Sequence, residues 1–280
     1  FTAEQWALDN AMKKNVPWEH AGDEIYKNNY QNPFFDWIGA QMKGELFGML
    51  APAWGWHTER NPTPESDLNK INACLELSYQ DSMIAHRGIG IVGELFVSAM
   101  VAIGIDFEPA LHNVQIKYPS STALFRKMEE GEPPMEEEVP IIGITAETII
   151  NDIKRLKSAL LKYEKVQKCE VEDYFRFIDC IITKFESDHD PRKWEEAWTN
   201  AVEIAKNYRQ NLIQDAKNRL GGNKEGLKLR LHELKRDRSF AVHTVLNNSA
   251  IAIGIIYGDG DMFQTIIRAS EPGLDVDCNA

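Results

Sequence analysis

Two aspartates near the end of the chain have the spacing that most directly suggests chemistry. Asp275 and Asp277 are separated by one residue and follow a long apolar stretch. Carboxylates placed in this way can share one hard cation, and a site with oxygen ligands alone favours Mg²⁺ or Mn²⁺. Either carboxylate could instead be the N-cap of a following helix and accept hydrogen bonds from its first backbone N–H groups. The spacing alone leaves both interpretations open.

The residues before this pair predict how it is positioned. Pro272 cannot continue a helix, and Gly273 tolerates a positive φ. We therefore expect a helix over 261–270 to end here and the chain to turn sharply into Asp275. The turn would direct both carboxylates towards one point.

The segment that ends in these aspartates belongs to a longer pattern. Residues 243–261 read His-Thr-Val-Leu-Asn-Asn-Ser-Ala-Ile-Ala-Ile-Gly-Ile-Ile-Tyr-Gly-Asp-Gly-Asp, and residues 273–280 read Gly-Leu-Asp-Val-Asp-Cys-Asn-Ala. Together with segments 37–43, 51–52, 79–86 and 90–100, they resemble the ADP-ribosylglycohydrolase family, whose Asp-Thr-Asp signature holds magnesium. The resemblance implies that Asp275 and Asp277 are catalytic metal ligands, with Cys278 as a weak third ligand. Val276 stands where the family has threonine.

The same resemblance implies residues that bind substrate. Gly39 and Ala40 fall in a segment that lies against ADP-ribose in that family, and His86 falls at the histidine of its Thr-His pair. From the residue type alone, a single histidine at a helix end is usually a capping or surface group. Both interpretations of His86 are kept open.

Glu94 is a carboxylate inside the most apolar predicted helix, over 90–104. A buried carboxylate must be paired, hydrogen-bonded or neutral, because desolvation of an unpaired charge costs several kcal/mol. Glu94 is therefore either a structural acid with a partner or a residue of the substrate site. If His86 and Glu94 share a helix, eight residues place them about 80° apart, facing one cleft.

Hydrophobic periodicity predicts an all-α protein, a compact orthogonal multi-helix bundle like that of the resembled family. We expect one domain over 1–280, truncated at both ends relative to the family and without its amino-terminal Thr-Asp-Asp motif. Segment 132–168 reads as a peripheral insertion, with an outlying amphipathic helix over 145–165. Gly39, Gly44 and Gly48 recur in a predicted helix over 34–50 and indicate close approach of a ligand or of another helix.

Composition excludes several classes of function. The net charge of −12 argues against extended nucleic-acid binding. The basic stretch 224–238 is predicted to be a solvated surface. Four scattered cysteines indicate neither a zinc site nor a disulfide framework, and a reducing, cytoplasmic location is expected. No apolar run reaches the roughly 20 residues of a membrane span. Oligomeric state cannot be inferred.

These observations favour a metal-dependent hydrolase that cleaves an N- or O-glycosidic bond to ADP-ribose or a related ribosyl group. A nucleoside or small ribosyl hydrolase is the alternative among enzymes. A degenerate relative that binds ADP-ribose or a partner protein without catalysis is the alternative from another class, favoured by Val276 and by the missing acidic motif.

Overall fold

The computed structural model describes residues 2–55, 64–106, 145–235, 240–258 and 260–274. The first half of the chain forms helices α1 (Thr2–Lys14), α2 (Trp18–Ala21), α3 (Gln41–Gly55), α4 (Pro64–Ser82) and α5 (Ile89–Asp106). The second half forms α6 (Ala146–Leu160), α7 (Lys168–Asp188), α8 (Trp194–Leu220), α9 (Lys224–Lys235), α10 (Phe240–Tyr257) and α11 (Met262–Ser270). Short 3₁₀ turns precede α3 (Ile38–Ala40) and α8 (Pro191–Lys193).

The described residues are mostly helical, in agreement with the predicted all-α class. The strands found there form one antiparallel hairpin, β1 (Ile25–Tyr26) and β2 (Asn29–Tyr30). Lys27 and Asn28 close it with positive φ values of 47° and 64°, which suits a tight hairpin turn. No helix in the described ranges is both long and apolar enough to cross a membrane.

The main core lies where α5, α6, α7, α8 and α10 meet. Helix α6 contributes the fully buried apolar face predicted from its period, formed by Ile150, Ile153, Leu156 and Leu160. The expectation that this helix is outlying is therefore wrong: its apolar face is part of the principal core. Whether 132–168 is an insertion relative to the resembled family stays a prediction.

Glycines allow α3 to pack closely along α5. A Cβ atom at Gly44 would lie 3.0 Å from the backbone oxygen of Glu94 and 3.0 Å from Ser98 Oγ. At Gly48 it would lie only 2.5 Å from the backbone oxygen of Ser98. Of the two explanations left open by the sequence, helix packing accounts for these two glycines.

Gly48→Ala should therefore destabilise the protein by about 1–3 kcal/mol, the usual cost of overpacking. A glycine-to-alanine change at a compatible helical position has the opposite sign and stabilises by about 0.4–1 kcal/mol. Urea denaturation measures the difference. Glu45→Ala, at an exposed position of the same helix, is the control. An unfolding free energy equal to or above that of the parent would contradict the close packing of α3 on α5.

The stretch before α3 contains regular secondary structure. Residues 16–33 include α2 and the β-hairpin, and the helix predicted over 34–50 begins only at Gln41, after the 3₁₀ turn. Asn32 fixes the segment because its buried side-chain amide donates to the backbone oxygens of Gly22 (3.2 Å) and Ala85 (2.8 Å). These bonds anchor the stretch to the end of α4.

The lysines of the described part of the basic stretch, 224–235, are exposed, as predicted for a solvated surface, whereas Arg230 is buried. Its side chain is 1% exposed, pairs with both carboxylate oxygens of Asp36, and donates to Glu233 at 3.2 Å. The guanidinium also lies over the ring of Phe35. Arg230 thus joins α9 to the segment that leads into the 3₁₀ turn and α3.

Candidate functional site

A buried polar cluster lies where α1, α3, α4 and α5 converge. Its members are Glu4, Lys43, Asp81, His86 and Glu94, and we refer to these five residues as the polar cluster. His86 and Glu94 are 0% exposed, whereas the other three are partly buried. A buried site with this many ionisable groups requires either mutual pairing or altered protonation.

Local structure places His86 and Glu94 on different elements. Helix α4 ends at Ser82, and the backbone N–H of His86 donates to the Ser82 oxygen at 2.8 Å. Gly88, with φ of 57°, then redirects the chain into α5, which carries Glu94. The single-helix argument for their alignment is therefore wrong. Both side chains nevertheless interact electrostatically with Glu4 and Lys43.

Lys43 is the cation of the polar cluster. Its Nζ atom lies 2.5 Å from an Asp81 carboxylate oxygen and 3.8 Å from a Glu4 oxygen. Glu94 also interacts electrostatically with this ammonium group, so three carboxyl groups share one nearby cation. One ammonium cannot balance three ionised acids, so at least one carboxyl group is favoured in its neutral form.

Glu94 is that neutral acid. Neither carboxyl oxygen has a hydrogen-bond partner among the described residues. Burial, with a further contribution from the negative charge of Asp81, raises the pKa of Glu94 to about 9, although Lys43 opposes the shift. At neutral pH the side chain is a carboxylic acid that can donate a hydrogen bond or a proton. The expected alternative, a structural acid held by a direct partner, is not what the described residues form.

His86 is the neutral base of the polar cluster. Burial lowers its pKa to about 4, although the Glu4 carboxylate favours the charged form. Neither ring nitrogen has a hydrogen-bond partner within the described part of the chain. The interpretation of His86 as a surface or capping group is wrong, because the imidazole is fully enclosed. Its implied role in substrate binding stays a prediction.

Gly39 and Ala40 lie on the 3₁₀ turn before α3, next to the polar cluster. A Cβ atom at Gly39 would lie 3.3 Å from Glu4 Oε1 and 3.4 Å from His86 Nε2. Ala40 is fully buried. Gly39 and His86 therefore lie close together beside Glu4. Lys43 interacts electrostatically with both His86 and Glu94, which links the two parts of the polar cluster.

Sequence reasoning did not single out Glu4, Lys43 or Asp81. Lys43 and Asp81 lie inside segments 37–43 and 79–86, which carry the family resemblance. The resemblance could therefore have identified these two residues. No sequence signal pointed to Glu4, because it lies on a short surface helix that contacts the polar cluster only through tertiary packing. That packing uses Ala3 and Ala7, which contact small residues of the α2 and α4 ends.

The predicted metal ligands Asp275, Asp277 and Cys278 lie outside the described residues. Within the described ranges, no three histidine, cysteine, aspartate or glutamate side chains are grouped closely enough to hold a metal ion. The Mg²⁺ or Mn²⁺ site at the aspartate pair stays a prediction.

The turn that leads to that pair is formed as predicted. Asp261 caps α11 by accepting from the backbone N–H of Gln264 at 2.8 Å, and the helix ends at Ser270. Gly273 and Leu274 follow with φ values of 76° and 69°. Two successive residues with positive φ therefore form a turn at the end of the described segment, after α11.

No protein-family model, curated protein or solved structure significantly matches this chain.

Proposed function

We propose that this protein hydrolyses an N- or O-glycosidic bond to ADP-ribose or a related ribosyl group, with Mg²⁺ or Mn²⁺ held by Asp275 and Asp277. One observation carries the proposal: three segments that carry the family resemblance meet in the polar cluster. Segment 37–43 supplies Lys43, segment 79–86 supplies Asp81 and His86, and segment 90–100 supplies Glu94.

Glu94 is suited to bond cleavage because it keeps a proton at neutral pH. A neutral carboxylic acid can donate to a ribosyl oxygen or to a departing group, which is the general-acid role in glycosidic hydrolysis. Neutral His86 can accept a hydrogen bond from a ligand hydroxyl. Lys43 pairs with Asp81 and so places a cation and a carboxylate beside Glu94.

The metal would supply charge stabilisation and an activated water molecule, so that no serine or cysteine nucleophile is needed. Carboxylates are the ligands that Mg²⁺ prefers, which suits Asp275 and Asp277, whereas the thiol of Cys278 is a poor ligand for it. The left-handed turn at Gly273 and Leu274, after the end of α11, supports the proposal that this turn positions both aspartates.

A second candidate is a protein that binds an ADP-ribosyl group or a partner without hydrolysis. The observation that favours it is burial: Ala40, His86 and Glu94 are fully enclosed, and Glu4 covers Gly39. Substrate contact at these residues requires α1 to move away from the polar cluster. A binding protein that never opens in this way would retain the fold but have no turnover.

Asp277→Ala should abolish hydrolysis, with a loss of at least about 100-fold, because the metal would lose one of its two strongest ligands. The assay measures free ADP-ribose released by the full-length protein from arginine-linked and serine-linked ADP-ribosyl peptides. It is run with MgCl₂, MnCl₂ or EDTA, and nucleosides serve as a parallel substrate class. Circular dichroism should show unchanged helical content in the variant.

Asp261→Ala is the matched control, because Asp261 caps the amino-terminal end of α11, whereas the aspartate pair follows the carboxyl-terminal end in the sequence. It should cost stability but leave the metal requirement intact. Binding of ADP-ribose without turnover on any substrate would instead establish the non-catalytic candidate. Equal stabilisation of the parent and of Asp277→Ala by MgCl₂ would show that Asp277 is a helix cap and not a ligand.

A further inference from the structure

A groove of about 890 Å³ lies along α9. The face of the helix that lines it carries basic and apolar side chains: Lys224, Leu227, Lys228, Leu231, His232 and Lys235. Steps of four, three and four residues lead from Lys224 through Lys228 and Leu231 to Lys235, so these side chains lie on one side of the helix. At about 1.5 Å per residue, this face is about 17 Å long.

The opposite face of α9 is buried and fixes the orientation of the helix. It carries Gly226, Arg230 and Glu233. A Cβ atom at Gly226 would lie 2.7 Å from Tyr30 Cβ, and the guanidinium of Arg230 pairs with Asp36. Helix α9 is therefore held against the β-hairpin and the segment before α3, and its groove face points away from these contacts.

The groove has an apolar surface. Leu227 and Leu231 are partly buried and pack against Ala216 and Leu234, where α8 meets α9. Leu229 also lines the groove and is 51% exposed. Apolar side chains of a partner can thus bury leucine surface that the protein itself leaves in contact with water.

The charge of the groove is opposite to that of the whole chain. Lys224, Lys228 and Lys235 are exposed, and none of them pairs with a carboxylate in the part of the chain that the structure describes. The acids of α9 are Glu225, which does not line the groove, and Glu233, on the buried face. A cationic groove on a protein with a net charge of −12 favours an acidic partner.

We propose that this groove binds an acidic amphipathic helix of a partner protein. Carboxylates four positions apart on that helix match the spacing of Lys224 and Lys228 on α9. Apolar side chains between the carboxylates cover Leu229 and Leu231. Recognition of a helix in a groove uses anchors at this spacing, three and four residues apart. The charge pairs select and orient the partner, and the apolar contacts supply affinity.

An acidic helix suits this surface better than a membrane or a nucleic acid. A helix that binds a membrane inserts its apolar face among the lipids, whereas Leu227 and Leu231 are held against α8. Single-stranded nucleic acids stack on aromatic side chains, and the described residues of the groove include none. The groove carries no residue of the polar cluster, so this inference is independent of the proposed hydrolysis.

A fluorescent peptide tests the proposal. It has about 16 residues, with Glu and Leu each recurring every fourth position on one face, and as a helix it spans about 24 Å. Fluorescence anisotropy with the full-length protein should show saturable binding that weakens as ionic strength rises. A peptide of the same composition, with its acids distributed around the helix, should bind at least about 10-fold more weakly. Equal affinity of the two peptides would overturn the proposal.

Two triple variants locate the binding surface. The groove variant combines Lys224→Gln, Lys228→Gln and Lys235→Gln. The control variant makes the same change of charge at exposed positions elsewhere, with Lys13→Gln, Lys168→Gln and Lys206→Gln. The groove variant should bind the peptide at least about 10-fold more weakly than the parent, because three charge pairs are lost together. The control variant should bind like the parent, and both should keep the parent's circular dichroism spectrum.

A charge exchange tests direct pairing. Lys228→Glu should weaken binding of the acidic peptide and improve binding of a peptide whose central Glu is replaced by Lys. Vesicles containing phosphatidylserine and a single-stranded RNA oligonucleotide are titrated with the same proteins. Failure of the acidic peptide to bind, equal losses for the two triple variants, or no gain in the charge exchange would overturn the proposal. Binding of vesicles or RNA in place of the peptide, lost in the groove variant, would also overturn it.

Discussion

Glu94→Gln should make the protein more stable than the parent at alkaline pH, by several kcal/mol at pH 8.5. Folding raises the pKa of Glu94 from 4.5 to about 9, because the charged carboxylate is buried without a hydrogen-bond partner among the described residues. Between these two values the unfolded chain has released the proton and the folded chain has kept it. Stability therefore falls as pH rises, at about 1.4 kcal/mol per pH unit. Glutamine keeps the shape and has no proton to lose.

His86 has the opposite effect at lower pH. Its pKa is lowered from 6.5 to about 4 by burial, so the unfolded chain binds a proton that the folded chain does not. Its contribution to stability is present above pH 6.5 and is lost as pH falls towards 4. Between about pH 4.5 and 6.5 the effects of Glu94 and His86 on the pH dependence of stability cancel, so their combined contribution to the unfolding free energy stays constant. Above pH 6.5 the loss from Glu94 is no longer compensated.

Urea denaturation of the parent and of Glu94→Gln between pH 5 and 9 measures this effect. The difference between the two proteins should grow steadily with pH and become small near pH 5. Glu45→Gln removes a carboxylate from an exposed position on α3 and is the control. Stability curves that run parallel for the parent and Glu94→Gln would show that Glu94 is ionised in the folded protein.

Arg230→Met should destabilise the protein by about 3–5 kcal/mol, the usual cost of breaking a buried ion pair from one side. The change leaves the carboxylates of Asp36 and Glu233 buried beside one another without their shared guanidinium. Methionine fills most of the space of the arginine side chain. The loss of stability therefore reflects the missing charge and hydrogen bonds more than a change in packed volume. Denaturation at neutral pH gives the unfolding free energy.

Two further variants test this explanation. Arg192→Met removes a guanidinium that is 87% exposed and pairs with Asp190, so it should cost much less stability than Arg230→Met. Adding Asp36→Asn to Arg230→Met removes one of the uncompensated charges and should recover part of the lost stability. An equal cost for the two arginine variants would mean that Arg230 is not the counter-charge of a buried cluster.

Much of the local structure followed from the sequence, because its signals act over a few residues. The period of Ile150, Ile153 and Leu156 identified the buried face of α6, since residues three and four apart share one side of a helix. Pro272 and Gly273 identified the end of α11 and the turn after it, which depend on allowed backbone angles alone. The all-α class rests on many such signals, each repeated along the chain.

Tertiary structure decided which charged groups are buried and what they face. Arg230 is a basic residue in a polar stretch, and its main partner, Asp36, lies 194 positions earlier. His86 is at the end of a helix, a place where histidine is usually exposed, yet α1 encloses it with Glu4. The sequence alone determined the all-α class, the buried face of α6 and the turn after α11, whereas packing between distant helices determined the protonation of Glu94 and His86, because desolvation depends on every element around a group.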